Sequence, residues 1–215
     1  MKAMRATTKD GMSYFAHPKA LVESVSIGAN TRIWAFAHVM KGARIGANCN
    51  IGDHAFIETG AILGNYVTVK NGVAIWDRVT IEDNVFLGPN CVLTNDPNPR
   101  TYIKKTGDAL TPTLICASAT VGANATILCG VSIGRYAFVG AGAVVIRDVP
   151  NFALVVGNPA HQIGWMCVCA EKLPVTVAAL RDARVTCPHC KRSFAATDDG
   201  LAALDEVFAS KEGSL

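Results

Sequence analysis

The sequence predicts an all-β protein built on a parallel β-helix, and three observations predict it. The first is a period. Stepping by six from Ile27 gives Ile27, Ile33, Val39, Ile45, Ile51, Ile57, Leu63, Val69, Ile75, Ile81, Leu87 and Leu93. The step breaks after Leu93, resumes at Ile115 and runs through Val121, Ile127, Ile133, Val139 and Val145, so all 18 positions carry a branched aliphatic residue. The second is the slot four places on, which is small or Val: Ala37, Ala43, Cys49, Ala55, Ala61, Val67, Val73, Val79, Val85 and Cys91. The third is punctuation. Gly follows the aliphatic residue at Gly28, Gly46, Gly52, Gly64, Gly88, Gly122, Gly134 and Gly140, and Asn recurs at Asn30, Asn48, Asn84, Asn90 and Asn124.

The physics of short strands turns this pattern into a shape. Alternate side chains of a strand point to opposite faces. One inward aliphatic and one inward small residue per six fill a narrow triangular core. Gly and Asn are expected at the sharp corners because they tolerate a left-handed backbone. Each coil buries its faces only against the coils above and below it, so the repeat must be stacked. A sandwich with alternating hydrophobics has no reason to hold a period of six for so long.

Along the chain, residues 1–13 are polar, lack an apolar signal core and read as a disordered leader. The β-helix domain is expected over 14–165. Tyr14 to Ala20 leads in, Leu21 to Leu93 is an unbroken block of coils, and Ile115 to Pro150 resumes them. Between the blocks lies an insertion over 95–114 with turn residues at its start and no hexapeptide phase. Such a long irregular segment in so regular a fold points to function. Asn151 to Trp165 closes the open end of the stack, and 166–215 reads as a separate small Cys-rich module resembling a zinc ribbon. Within that module Val175 to Val185 is too short to assign, and Gly200 to Ser210 is read as a terminal helix.

At 215 residues, half of them apolar, the chain is long enough to bury a real core. A net charge of +3 does not call for a nucleic-acid partner, although it suits a phosphate-bearing ligand. No apolar run is long enough to span a membrane, so no membrane partner is expected. A cytoplasmic location is the expectation. Of eight cysteines, Cys49, Cys91, Cys116 and Cys129 lie within the repeat, while Cys167, Cys169, Cys187 and Cys190 lie together near the end. That split argues against a disulfide framework. Cys187-Pro-His-Cys190 followed by a basic residue has the form of a metal knuckle. With Cys167-Val-Cys169 17 residues before it, four thiolates suit a closed structural zinc site. The other reading is a set of free thiols.

Several stretches now carry a family. The hexapeptide repeat with the closing Val155-Val156-Gly157-Asn158-Pro159-Ala160 resembles the left-handed β-helix acyltransferases. Thr31 to Val39, Glu82 to Pro89, Leu93-Thr94-Asn95 with Asn98-Pro99-Arg100, and Ile163-Gly164-Trp165 narrow it. Together they resemble the N-acetyltransferases of nucleotide-linked 3-amino sugars, over roughly Phe15 to Leu173. The nearest type is the UDP-2-acetamido-3-amino-2,3-dideoxyglucuronate N-acetyltransferase of bacterial surface-polysaccharide and lipopolysaccharide synthesis. The dTDP-3-amino-6-deoxyhexose N-acetyltransferases are the alternative. The resemblance implies left-handed coils, against the usual hand of crossovers. It implies a homotrimer, with acetyl-CoA and a nucleotide sugar meeting in clefts between subunits.

The implied chemistry is acyl transfer from a thioester to an amine. A neutral amine is already a good nucleophile. The enzyme must desolvate and align it, and donate to the developing oxyanion. Where some relatives of this kind use a histidine base, the motif here offers the amides Asn71 and Asn95. Asn95 is expected to orient the amine or polarise the carbonyl, with Asn71 assisting. A β-helix corner is the other reading of Asn71, and a turn starter that of Asn95. Arg100 is expected to anchor the pyrophosphate or a sugar carboxylate. Arg32, Trp34 and His38 are candidates for the nucleotide, with subunit packing the other reading of Trp34. Asp77 and Glu82 are candidates for the sugar hydroxyls. Gly140, Ala141 and Gly142 are expected to let the pantetheine arm approach the backbone. Arg147 and the Asn158-Pro159 loop are expected near the 3′-phosphate of the coenzyme. His161 stands where such proteins usually carry a basic residue.

Three rivals differ in what they require. A hexapeptide O-acetyltransferase would need a histidine base at the cleft. A γ-class carbonic anhydrase would need three metal-binding histidines, and His17, His38, His54, His161 and His189 show no such spacing. A non-catalytic scaffold would have no use for Asn95 and Arg100 in an insertion.

Overall fold

A computed structural model describes residues 4–7, 13–176 and 184–205. The chain winds as a triangular parallel solenoid with three flat faces. Face A stacks Arg32–Ile33, Asn50–Ile51, Thr68–Val69, Phe86–Leu87, Thr120–Val121 and Phe138–Val139. Face B stacks Leu21–Val22, His38–Val39, Phe56–Ile57, Ala74–Ile75, Val92–Leu93, Thr126–Ile127 and Val144–Val145. Face C stacks Ser26–Ile27, Arg44–Ile45, Ile62–Leu63, Val79–Ile81, Thr113–Ile115 and Ser132–Ile133. Arg32 sits opposite Asn50, so one coil takes 18 residues, three hexapeptides for three sides. The coils are left-handed, as the resemblance implied. Among the described residues there is no α-helix, and none long and apolar enough to cross a membrane.

The expected core is the observed core. All 18 aliphatic positions are at most 4% exposed. The small slots from Ala37 to Cys91 lie between them and are equally closed. The small slot is forced by geometry: three inward side chains meet on one axis at each level, so they must fit together at crystal-like density.

The corners divide their two punctuating residues differently from the expectation. Asn30, Asn48, Asn84, Asn90 and Asn124 do take the left-handed backbone, with φ of 55–61°. The glycines that follow the aliphatic residues do not. They are required by close approach: a Cβ on Gly46 would lie 2.4 Å from the Gly64 carbonyl oxygen, and one on Gly88 2.7 Å from the Ala123 nitrogen. Phe36, His54, Tyr66, Tyr136 and Phe152 also hold left-handed corners. At four of these the strain is offset by ring stacking, Phe36 on His54 at 4.9 Å and Tyr136 on Phe152 at 5.0 Å.

Three boundaries differ from the sequence reading. Met4–Thr7, read as part of a disordered leader, forms a strand antiparallel to Ser13–Ala16, which joins face A. The coils resume at Thr113, because backbone pairing with Val79 recovers the solenoid register before the aliphatic phase returns. Gly200–Ala203, read as the start of a helix, is a strand paired with Ser193–Thr197; residues 206–210 lie outside the described residues. At the far end the hairpin Ala153–Val156 and His161–Trp165 caps face A. The three-stranded sheet Arg184–Thr186, Ser193–Thr197 and Gly200–Ala203 follows it. This sheet is not a separately packed module. Its Phe194 is fully buried and meets Phe152 of the last corner edge-on at 5.3 Å.

Candidate functional site

The three corners carry different chemistry. The insertion leaves the solenoid at the BC corner, between Leu93 on face B and Thr113 on face C. Pairing across it steps by 34 residues, Phe86 to Thr120, instead of 18. Its neck is closed by the Thr111 N–H donating to the Asn95 carbonyl at 2.8 Å. Inside, Lys105 forms a salt bridge with Asp96. Hydrogen bonding from Lys105 holds the Asp96 carboxyl below its ordinary range. Arg78, one coil below, reaches Asp108 at 2.9 Å and pins the far limb.

Under this loop lies a cleft of about 460 Å³, walled by Met40, Glu58, Trp76, Asp77, Asn95 and Lys105 among others. Asn95 lines it, and its Nδ2 donates to the Asp77 carbonyl at 3.5 Å. The Asp77 N–H donates to Glu58 at 2.7 Å, and its own carboxylate accepts the Arg78 N–H at 2.8 Å. Trp76 is held by its indole N–H on the Leu93 carbonyl at 2.8 Å. An aromatic ladder leads away from it along face B: Phe56 lies 5.5 Å from Trp76, and His38 5.4 Å from Phe56. No histidine lines the cleft. Arg100 sits at the exposed tip of the insertion, where the Ile103 N–H donates back to its carbonyl at 3.0 Å. Arg147 leaves face B at the same corner, two coils above Asn95.

The other expected residues lie elsewhere. Asn71 stands on the AB corner, and its side-chain oxygen accepts the Asp53 N–H at 3.2 Å. Gly140, Ala141 and Gly142 stand three coils above it on the same corner. A Cβ on Gly140 would meet Val156 at 2.7 Å, so that glycine serves hairpin packing, whereas Gly142 has open space beside it and φ of +68°. Asn158 and Pro159 turn the closing hairpin against the same end: Val144 N–H donates to Gly157 and Ala160 N–H to Val144. Gly140 to Gly142 and the Asn158-Pro159 turn thus share a corner with Asn71, whereas Arg147 shares the corner of Asn95, one side of the triangle away, about 15–20 Å at 3.3 Å per residue. Arg32 and Trp34 line a second pocket on face A with Phe15 and Asn48. Trp34 donates to Asn50 at 2.9 Å there. His38 is across the AB corner on face B, bonded to Glu23 at 3.0 Å. Glu82 is on the CA corner, apart from Asp77, and accepts the Ala117 N–H at 2.8 Å. Buried Cys49 and Cys91 fill core slots. Burial pushes the Cys91 thiol up to about 12, which suits packing and not nucleophilic work.

The sequence reading missed Glu58, Trp76, Arg78 and Lys105. Glu58 and Trp76 stack at 18-residue spacing under Thr94, a signal available once the coil length is known. Arg78 and Asp108 are 30 residues apart across an irregular loop, and no spacing rule pairs them. The four C-terminal cysteines do converge, with all sulfurs within 4.8 Å of one another.

Known proteins match this geometry. The bacterial transferase hexapeptide (six repeats) model matches residues 24–59, 60–95 and 112–147. The gap between the last two blocks is the insertion. The dTDP-3-amino-3,6-dideoxy-alpha-D-galactopyranose 3-N-acetyltransferase of Aneurinibacillus thermoaerophilus is 55% identical over 159 residues, 74% of this chain and 82% of that protein. Serine acetyltransferase 2 of Arabidopsis thaliana is 36% identical over 124 residues, 58% of this chain but 31% of that protein. A galactoside acetyltransferase solved in complex with coenzyme A shares the fold, with 24% identity and a TM-score of 0.50 over 58% of this chain and 64% of its own. The first of these is named for a dTDP-linked 6-deoxy sugar. That name corresponds to the second substrate type that the sequence motifs resemble, not to the UDP-linked glucuronate type. With the repeat matched on both sides of the insertion, and that relative matched across most of its length, the chain belongs to the hexapeptide-repeat sugar N-acetyltransferase family.

Proposed function

We propose that the protein transfers the acetyl group of acetyl-CoA to the 3-amino group of a dTDP-linked 3-amino-6-deoxyhexose. The observation that carries this reading is the 55% identity to an enzyme named for that reaction, over 82% of its length. The BC cleft is the proposed seat of the sugar. The amine nitrogen attacks the thioester carbonyl, the C–S bond breaks, and the amine proton leaves with the coenzyme thiolate. Asn95 donates toward the developing oxyanion or fixes the amine. Asp77 would hold sugar hydroxyls, and Arg100, at the loop tip, the pyrophosphate. Gly142, Asn158, Pro159 and Arg147 are the proposed coenzyme contacts.

Asn95 stands on a different corner from Gly142, Asn158 and Pro159, which supports a site completed between two chains of a homotrimer. Face B presents Leu21, His38, Phe56, Ala74, Val92, Thr126 and Val144 outward in one row, five of the seven apolar, with Leu21 and Val92 about half exposed. That row is the proposed subunit contact. The test is a panel of dTDP- and UDP-linked 3-amino sugars with acetyl-CoA, followed by thiol release. Turnover is expected with the dTDP-3-amino-6-deoxyhexoses, and at least 100-fold weaker kcat/KM with the UDP-linked uronate. No release with any of them would sink the reading.

A further inference from the structure

The reaction leaves the Cys-rich end of the chain unused. We propose that Cys167, Cys169, Cys187 and Cys190 form a closed four-thiolate site for one zinc ion, and that this ion clasps the C-terminal sheet onto the open end of the β-helix. The sulfur geometry fits. Cys167 and Cys190 sulfurs are 3.3 Å apart, and those of Cys169 and Cys187 3.7 Å. A tetrahedron with zinc–sulfur arms of about 2.3 Å has edges of about 3.8 Å. All four are free thiols, and a disulfide would bring the sulfurs to about 2.05 Å.

The backbone around them has the form that a thiolate site needs. The N–H groups of Cys169, Glu171 and Arg192 donate to the sulfurs of Cys167, Cys169 and Cys190. Each pair turns tightly: Ala170 N–H donates to the Cys167 carbonyl at 2.9 Å, and Lys191 N–H to the Cys187 carbonyl at 3.1 Å. Ala170 and Lys191 both take the left-handed backbone, with φ of +65° and +64°. The two loops are therefore alike although one pair is spaced C-x-C and the other C-x-x-C. Cys167 and Cys187 are buried and four sulfurs complete a tetrahedron, so no position is left for a substrate.

The two pairs come from different parts of the fold, which gives the site its work. Cys167 and Cys169 directly follow the last solenoid strand, His161–Trp165, and Leu173 N–H returns to the Trp165 carbonyl at 2.8 Å. Cys187 and Cys190 sit between the strands Arg184–Thr186 and Ser193–Thr197 of the terminal sheet. That sheet has few buried apolar side chains, chiefly Val185, Phe194 and Leu201. A unit of this size needs a staple to hold a fixed structure. Bound metal supplies it, because the energy of binding becomes energy of folding. Docking is specific: Asn151 N–H donates to the Asp199 carbonyl at 2.8 Å, and a Cβ on Gly200 would lie 2.5 Å from the Asn151 oxygen. Leu201 to Ala203 then form one wall of a groove of about 880 Å³ along the CA corner.

Two measurements on the full chain test this. The first is metal content by mass spectrometry after purification without chelator, with cobalt exchanged into the wild-type protein. The expected result is about one zinc per chain and a tetrahedral thiolate–cobalt spectrum. Cys190→Ser and Cys169→Ser should lose both, and Cys116→Ser should keep both. Absence of metal, an iron ion in its place, or a cobalt spectrum without thiolate charge transfer would overturn the site. The wild-type spectrum decides this even if a variant fails to fold. The second is hydrogen exchange before and after zinc is stripped under reducing conditions. Exchange at Asn151 and Phe194 is expected to rise at least 10-fold, while amides between residues 32 and 92 keep their protection. Unchanged protection at Asn151 would overturn the clasp.

Discussion

The coils and the insertion are neighbours in sequence and opposites in construction. In the coils every inward aliphatic residue is closed off, and strand N–H groups bond to the coil above at 2.8–3.2 Å. In the insertion, residues 97–104 are exposed, and a few polar pins hold the limbs: Asn95 to Thr111, Asp96 to Lys105 and Arg78 to Asp108. The coils make stability cooperative through their closed interior. The break in the repeat gives up packing and gains a polar cleft. If the proposed site is right, stability and chemistry sit on different residues, and substitutions should separate them.

The largest expected effect is on stability alone. Ile75→Ala, at a fully buried coil position, is expected to cost about 2–5 kcal/mol in urea unfolding. Activity per folded chain should stay near wild type in assays well below the unfolding transition. Next comes chemistry alone. Asn95→Ala is expected to lower kcat about 100-fold, the usual effect of removing one oxyanion donor, with the melting temperature nearly unchanged. A melting temperature that falls with activity would make Asn95 a loop anchor instead. Smaller still is the loop. Arg78→Ala removes the pin to Asp108 and is expected to raise KM for the sugar nucleotide several-fold, leaving kcat within about twofold.

The smallest effect is one of pH. Lys105 lowers the Asp96 carboxyl pKa in the folded chain. A depressed carboxyl stabilises the folded loop above its unfolded pKa of about 4, and that contribution is lost as pH falls through the folded value. Cleavage of the insertion by an acid-active protease should therefore rise below about pH 4. In Lys105→Met that rise should vanish, the loop being open at every pH.

How much of this was legible in sequence follows from the same contrast. A period of six fixes the inward side chains, because an 18-residue coil brings each aliphatic position above the last. It does not say why a glycine is there, and here the glycines after the aliphatic residues serve close approach of the next coil, by its backbone at Gly46 and Gly88 and by the Val156 side chain at Gly140. Corner aromatics such as Tyr136 and Phe152 were invisible, since their strain is offset only by the ring one coil away. The insertion was legible as an interruption. Its pins were not, because Arg78 and Asp108 meet through a loop with no period. Asn71 and Asn95 read as one catalytic pair, yet lie on separate corners. The sequence distance of 24 between them is not a multiple of the coil. The strand Gly200–Ala203 was read as the start of a helix, although it closes a short hairpin with Ser193–Thr197 around Asp198 and Asp199.

Excising residues 96–110 and joining the limbs by a two-glycine turn tests the central claim most directly. If the coils carry the fold and the break carries the chemistry, the shortened chain should keep its β-sheet spectrum and unfold within a few degrees of wild type. It should release no thiol from acetyl-CoA with any 3-amino sugar nucleotide. Retained acetyl transfer at more than about a tenth of the wild-type kcat would contradict the account.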